Sequence, residues 1–308
     1  MNARRGWLLA AAVLLSSVAN AQPFAFAVNS DDELNADSLL RVNLANGDVQ
    51  IIGSLPAFME DVEGLAFDAD GNLFAVDNAS KSLAIVDPLT GNATPINSRQ
   101  ANLGFRTTLA LDLGLTFDCT GSLLLVAEQT QSLYQVDTNS GQALVIGESG
   151  GLGDAMTAIA SFGANVFTLA AGSGNLYQID TQAGTAELLM SLDEYEISDA
   201  GMAFDESGYL WAVLDGSGQD SLGNAMFEPS TILRININTG ELLEIAQTRS
   251  GIESLAIGGP GSCDFLALPG PAGPGGAPTA VPSLSQWSLL LLIILLALIG
   301  GRRLPLRH

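Results

Sequence analysis

Residues 64–96, GLAFDADGNLFAVDNASKSLAIVDPLTGNATPI, read as one complete four-strand unit. The run 64–68 is small and apolar. It ends in Asp68-Ala69-Asp70-Gly71-Asn72, where an Asp side chain can cap the turn and Gly can take a positive φ. A second apolar run, 73–77, follows at once. After a polar loop, residues 82–87 carry the β-branched Ile85 and Val86, then Asp87-Pro88-Leu89-Thr90-Gly91 supplies a hairpin turn. A short fourth strand, 93–96, closes the unit.

The same text recurs along the chain, and a repeat of this kind fixes the architecture. Asp118-Cys119-Thr120-Gly121-Ser122 repeats the first turn at the same distance from Gly114, followed by LLLVAE, SLYQVD and the turn Asp137 to Gly141. Further copies run through TAIAS, LYQID and Asp180 to Gly184, and through GMAFD, LWAVL and ILRININTG. The last copy is divided between the two ends of the core. Phe24-Ala25-Phe26-Ala27-Val28 aligns with the second strand, Leu73 onward, and Glu253-Ser254-Leu255-Ala256-Ile257 aligns with the first. One C-terminal strand plus three N-terminal strands make one blade, which closes a ring and removes its open edges. First strands at Gly64, Gly114, Thr157, Gly201 and Ser254 give an all-β, five-bladed β-propeller. A run beginning at Cys263 and ending at Leu268 would make a sixth blade, and an open solenoid is the other architecture with this period.

The flanks have different chemistry. Arg4 and Arg5, the apolar run 7–15 and the small residues Ala19-Asn20-Ala21 make residues 1–21 a signal peptide for Sec export. The repeat domain occupies 22–268. Residues 269–280, rich in Pro and Gly, are a linker. Residues 281–308 begin with Val281-Pro282-Ser283-Leu284-Ser285-Gln286-Trp287, continue through an apolar helix over 288–300, and end in a basic tail, 301–308. From residue 287 to 301 that helix would span about 22 Å at ~1.5 Å per residue, short of a ~30 Å hydrocarbon core, so it crosses only if the bilayer thins or its flanks snorkel. The positive-inside rule keeps Arg302, Arg303 and Arg307 cytoplasmic and the repeat domain outside.

This C-terminal plan resembles the IPTL-CTERM bacterial protein-sorting signal, which is related to PEP-CTERM. Pro282, Leu284 and Trp287 match its motif, while Val281 and Ser283 replace Ile and Thr, and Ser288 stands where Gly is usual. The resemblance implies recognition by an exosortase-type membrane enzyme and processing to a cell-surface or extracellular product. A permanent membrane anchor is the alternative.

All 33 acidic residues of the chain fall within 22–268, against six of its 11 basic ones, a net charge of −27 for the domain. Nucleic acid is thereby excluded as a partner, because binding it requires Lys and Arg on the phosphates. The only histidine is His308, so the propeller has no imidazole for a nucleophile–base pair or a His metal site. What remains is carboxylate. An acid precedes each first strand: Glu63, Asp112, Asp154, Asp199 and Glu253. First strands line the channel of a propeller, so these five gather at one mouth, joined on that face by Asp31, Asp32, Asp77, Glu128 and Asp215. Oxygen-only ligands suit Ca²⁺, in the general plan of the metal-dependent propeller lactonases. Solvated strand-start acids are the plainer account, since their offsets differ between blades. Asp87, Asp137 and Asp180 cap hairpins and carry no chemistry. Cys119 and Cys263 each follow a first strand and, outside the cytoplasm, are a candidate disulfide; two separate buried thiols are the alternative. The function expected is a non-enzymatic surface binding or structural module, with a metal-dependent hydrolase as the alternative.

Overall fold

The computed structural model describes residues 23–30, 37–105, 111–216, 218, 219, 225–259, 261 and 263. The segments expected to be a signal peptide, a linker and a sorting signal with a helix at 288–300 lie outside these residues. Among the described residues no helix is long and apolar enough to cross a membrane.

Five antiparallel sheets form the ring. Blade A contains β1 (Phe24–Asn29), β2 (Ser38–Asn43) and β3 (Val49–Ser54). Blade B is β4 (Val62–Phe67), β5 (Leu73–Asp77), β6 (Ser82–Val86) and β7 (Ala93–Pro95). Blade C is β8 (Leu113–Phe117), β9 (Leu123–Ala127), β10 (Ser132–Val136) and β11 (Ala143–Ile146). Blade D is β12 (Met156–Phe162), β13 (Asn165–Ala170), β14 (Asn175–Asp180) and β15 (Thr185–Ser191). Blade E is β16 (Asp199–Phe204) and β17 (Leu210–Asp215), a small ribbon of β18 (Gly218–Gln219) and β19 (Ala225–Met226), then β20 (Thr231–Asn236) and β21 (Glu241–Gln247).

Blade A is completed by the far end of the domain. Phe26 N donates to Ala256 O at 2.7 Å and Ala256 N returns the bond to Phe26 O at 2.8 Å. A second bridge pairs Asn29 with Ile252. Three residues lie between Ile252 and Ala256 where two lie between Phe26 and Asn29, so the closing strand carries one extra residue. Val28 N there bonds to the Ser254 hydroxyl at 2.9 Å instead of to a ladder carbonyl. Among the described residues the sheets make a ring of five blades, and residues 264–268 of the run considered for a sixth lie outside the described residues. Beyond Ile257 the chain passes blade B, where a Cβ on Gly259 would stand 2.5 Å from Asp68 O. It then reaches blade C, where Cys263 is disulfide-bonded to Cys119 with Cα atoms 5.0 Å apart.

The core is divided among the seams. Leu39, Leu65 and Ala75 pack between blades A and B, Leu83 and Leu115 between B and C, and Val126 and Ile159 between C and D. Phe167 and Met202 pack between D and E, and Leu40 and Val213 between E and A. Alternating side chains of each strand therefore serve two seams, which is why the inner strands read as nearly continuous apolar runs. A single blade buries neither face, so its stability comes from the closed ring.

The repeated turns are made by their aspartates. Asp87 Oδ1 accepts the Leu89 N–H at 2.9 Å and Asp137 Oδ1 accepts that of Asn139 at 2.7 Å. Asp180 Oδ1 accepts the Gln182 N–H at 2.9 Å. These backbone donors favour the charged form and hold all three carboxyls below the usual range.

Candidate functional site

The inner strands β4, β8, β12, β16 and the closing strand surround the axis. They approach so closely that no Cβ fits at three of the aligned positions. One on Gly64 would lie 2.7 Å from Leu115 Cβ, one on Gly114 2.7 Å from Thr157 O, and one on Gly201 2.4 Å from Ser254 C. This waist divides the channel into an upper mouth, where the inner strands begin, and a lower mouth, where they end.

At the upper mouth one carboxylate oxygen from each of Glu63, Asp112 and Asp199 lies within 4.8 Å of the other two. Their positions relative to the aligned glycines differ by one residue, and β-bulges explain the difference. In β4 the register slips between Val62 and Gly64, so Glu63 is the extra residue. In β8 and β16 the ladder is regular, and Asp112 and Asp199 precede their glycines by one residue more. The bulge turns Glu63 off the ladder, and its Oε2 accepts the Leu113 N–H of the next blade. Asp199 Oδ1 accepts the Thr157 hydroxyl and, at 2.7 Å, its neighbour Ala200 N–H. Glu253, on the extra-residue stretch of the closing strand, is buried and close enough for its charge to act on Glu63.

Burial and mutual repulsion raise the proton affinity of Glu63, Asp199 and Glu128. Glu63 is pushed well above the usual carboxylate range, first by burial, then by the charges of Asp199, Asp61, Asp112 and Glu253. Asp199 is raised by burial and by Asp112 and Glu128, against the hydrogen bonds from Thr157 and Ala200 that favour its charged form. Glu128 is pushed up to about 8 by burial, by its side-chain hydrogen bond to Asp112 and by the Asp112 charge. Carboxyls this close share protons instead of all ionising.

Not every acid expected at the mouth joins this group. Asp154 stands four residues ahead of Ala158, the residue aligned with Gly64. Its Oδ2 accepts the Tyr177 hydroxyl at 2.7 Å and the Ser173 hydroxyl at 2.8 Å. Although burial opposes it, these bonds and the Ala155 N–H keep Asp154 below its ordinary value. In blade D the extra residue of the bulge is Thr157, which contributes a hydroxyl in place of an acid. Asp77 and Asp215 fasten loops. Asp77 accepts the Asp61 N–H at 2.8 Å and the Ser80 N–H at 2.7 Å. Asp215 accepts the Ser230 hydroxyl at 3.2 Å and the Gly251 N–H at 3.1 Å. Asp31 and Asp32 lie outside the described residues. The Asp112–Glu128 pair was within reach of the sequence, because extending the Leu113–Ala127 pairing by one residue sets the two opposite each other.

Chemically, the cluster can exchange protons, or its oxygens could hold one hard cation. The space beside Glu63 and Glu253, between Gly64, Gly114, Ala158 and Gly201, is about 10 Å³. That is room for about one water molecule.

Solved structures similar to this chain include a protein of unknown function from Bacteroides caccae, at 11% identity over 77% of this chain and 98% of that one, TM-score 0.48. A chain of a nidogen/laminin complex matches at 14% identity over 76% and 97%, TM-score 0.47. Virginiamycin B lyase from Staphylococcus aureus matches at 15% identity over 68% and 63%, TM-score 0.41. No curated protein matches the sequence. Residues 17–191, more than half of the chain, match the family described as a repeat of unknown function, and the chain belongs to that family, DUF6923.

Proposed function

We propose that this protein is an exported, bacterial cell-surface β-propeller that binds or scaffolds without catalysing a reaction. The observation that carries this is how the upper mouth uses its acids. Glu63 and Asp199 are engaged by backbone and hydroxyl donors, Asp112 and Glu128 hold each other, and the channel beside Glu63 narrows to about 10 Å³ at the waist. An ester or lactone cannot pass into that waist, so below the mouth the channel offers a substrate no room beside these acids. The signal-like segment 1–21, the Cys119–Cys263 pair, and the sorting-type segment 281–308 all support export to an oxidising exterior, through Sec and an exosortase-type enzyme. The domain charge of −27 suits a soluble, exposed body.

Protease shaving of intact cells tests this. The repeat domain should be digested from the outside of intact cells or recovered from the medium as a chain ending near residue 280. Full-length protein retained in the cytoplasm with residues 1–21 uncleaved would contradict the proposal.

One observation favours a second reading, a metal-dependent hydrolase: the convergence of Glu63, Asp112 and Asp199 oxygens within 4.8 Å, the chemistry of a Ca²⁺ ligand set. A metal there would have to recruit its substrate above the mouth, with the waist closed beneath it.

A further inference from the structure

The lower mouth differs from the upper in shape and chemistry. Phe67, Phe117, Phe204 and Ile257 end the inner strands of blades B, C, E and A, three residues beyond the aligned waist position. In blade D that place belongs to Ser161, as its pairing with Val166 shows when set beside that of Phe117 with Leu123. Ser161 turns its hydroxyl to Phe117 O. A bulky side chain is thus missing at one of five positions, and a cavity of about 430 Å³ opens beside it.

Its lining combines aromatic and acidic side chains with bare glycine backbone. Phe162 and Phe204 stand with ring centroids 5.3 Å apart, and Phe167 backs Phe204 at 5.4 Å. Asp205 and the exposed Glu206 follow Phe204 on the rim, with Gly258, Gly259 and Gly261 also in the lining. Asp205 is fixed in place. Its Oδ1 accepts the Ser207 N–H at 2.8 Å and the Tyr209 N–H at 3.1 Å, and its Oδ2 accepts the Trp211 indole N–H at 2.9 Å. The volume lies within the range of ~300–1,000 Å³ usual for small-molecule sites. Aromatic faces beside carboxylates attract cations that also carry apolar surface, and repel anions.

We infer that this cavity is a binding site for a small organic ammonium ion bearing an aromatic or branched alkyl group, with Phe162 and Phe204 taking the apolar part and Glu206 and Asp205 the charge. This gives the proposed binding module a ligand class and rests on that reading, yet it fails separately. A chain that is shaved from the cell surface but ignores the probes below overturns this inference alone.

Trp211 supplies the reporter, because its indole is bonded to a cavity residue. In the full chain carrying W7F and W287F it is the only one of the three tryptophans left. Titration with benzylammonium should change its emission saturably. Benzyl alcohol, the neutral analogue, should bind about tenfold more weakly, and benzoate weaker still. Glu206→Gln should reduce the preference for benzylammonium over benzyl alcohol by about the same factor. Ser161→Phe, which restores the side chain found at this place in blades B, C and E, should abolish the response. Equal responses to the cation and the alcohol, or a full response in Ser161→Phe, would overturn the inference, as would no response in the unsubstituted cavity. If Ser161→Phe does not fold, the Glu206→Gln and neutral-probe comparisons decide.

Discussion

Reducing the Cys119–Cys263 disulfide lowers the melting temperature of the propeller by about 10–20 °C. The bond closes a loop of 144 residues. Holding the ends of a loop that long restricts the unfolded chain by about 5 kcal/mol on the chain-entropy account, and for a domain of this size each kcal/mol moves the midpoint by about 2–4 °C. The native state adds a second reason. Blade A is held shut by the bridges at Phe26–Ala256 and Asn29–Ile252, fewer pairings than join the strands within any complete blade. With Cys263 fixed to blade C, the closing strand cannot peel away from its end. Cys263→Ser and Cys119→Ser should each reproduce the reduced protein and be insensitive to dithiothreitol. A shift of less than about 2 °C on reduction would show that closure does not depend on the bond.

Gly201→Val should cost about 3 kcal/mol or more, the upper range for overpacking, or roughly 6–12 °C in melting temperature. The atoms a Cβ would meet there are Ser254 C at 2.4 Å and Leu255 N at 2.7 Å, which are backbone of the closing strand. Backbone cannot rotate aside as a side chain can, so the substitution must move the strand that completes the ring. Opening that seam exposes the edge of β1, and the variant should also aggregate at concentrations where the parent stays in solution. Gly258→Ala is the control, since nothing lies within 4 Å of its Cβ. Hydrogen exchange at Phe26 and Ala256 would locate the damage. If those amides stay protected in Gly201→Val while others exchange, the seam is not where the strain falls.

Most of this architecture was legible in the sequence, for a physical reason. Each blade needs the same turns at the same spacing, so Asp68 to Asn72 and Asp118 to Ser122 had to look alike, and the strand missing from the N-terminal copy had to reappear at Glu253 to Ile257. The acidic mouth was only partly legible. Glu63, Asp112 and Asp199 converge as their place before the inner strands suggested. Asp154 does not join them, because proximity in sequence to a strand says nothing of which hydroxyls will take the side chain first; here Tyr177 and Ser173 do. The bulges at Glu63 and Thr157 were not legible, since one inserted residue looks in sequence like a one-residue error of alignment. The cavity beside Ser161 was hidden for the same reason. Phe162 occupies the next position, and only the pairing of Ser161 with Val166 shows which of the two is in register with Phe117.

On the proposed reading the upper mouth is a proton-sharing cluster in place of a metal or catalytic centre. The most direct test is the melting temperature of the whole protein between pH 5 and 9, in EDTA and in millimolar Ca²⁺. Glu63, Asp199 and Glu128 have folded-state proton affinities raised above their unfolded values. The stability they contribute is complete below the unfolded pKa, ~4, and is lost as pH rises through the folded values, which for Glu128 is about 8. The midpoint should fall by several degrees across this range, equally in EDTA and Ca²⁺, with the slope flattened in Glu63→Gln and Asp199→Asn. A midpoint raised by Ca²⁺, and raised more at higher pH where protons no longer compete for the carboxylates, would contradict this reading and assign the mouth to a metal.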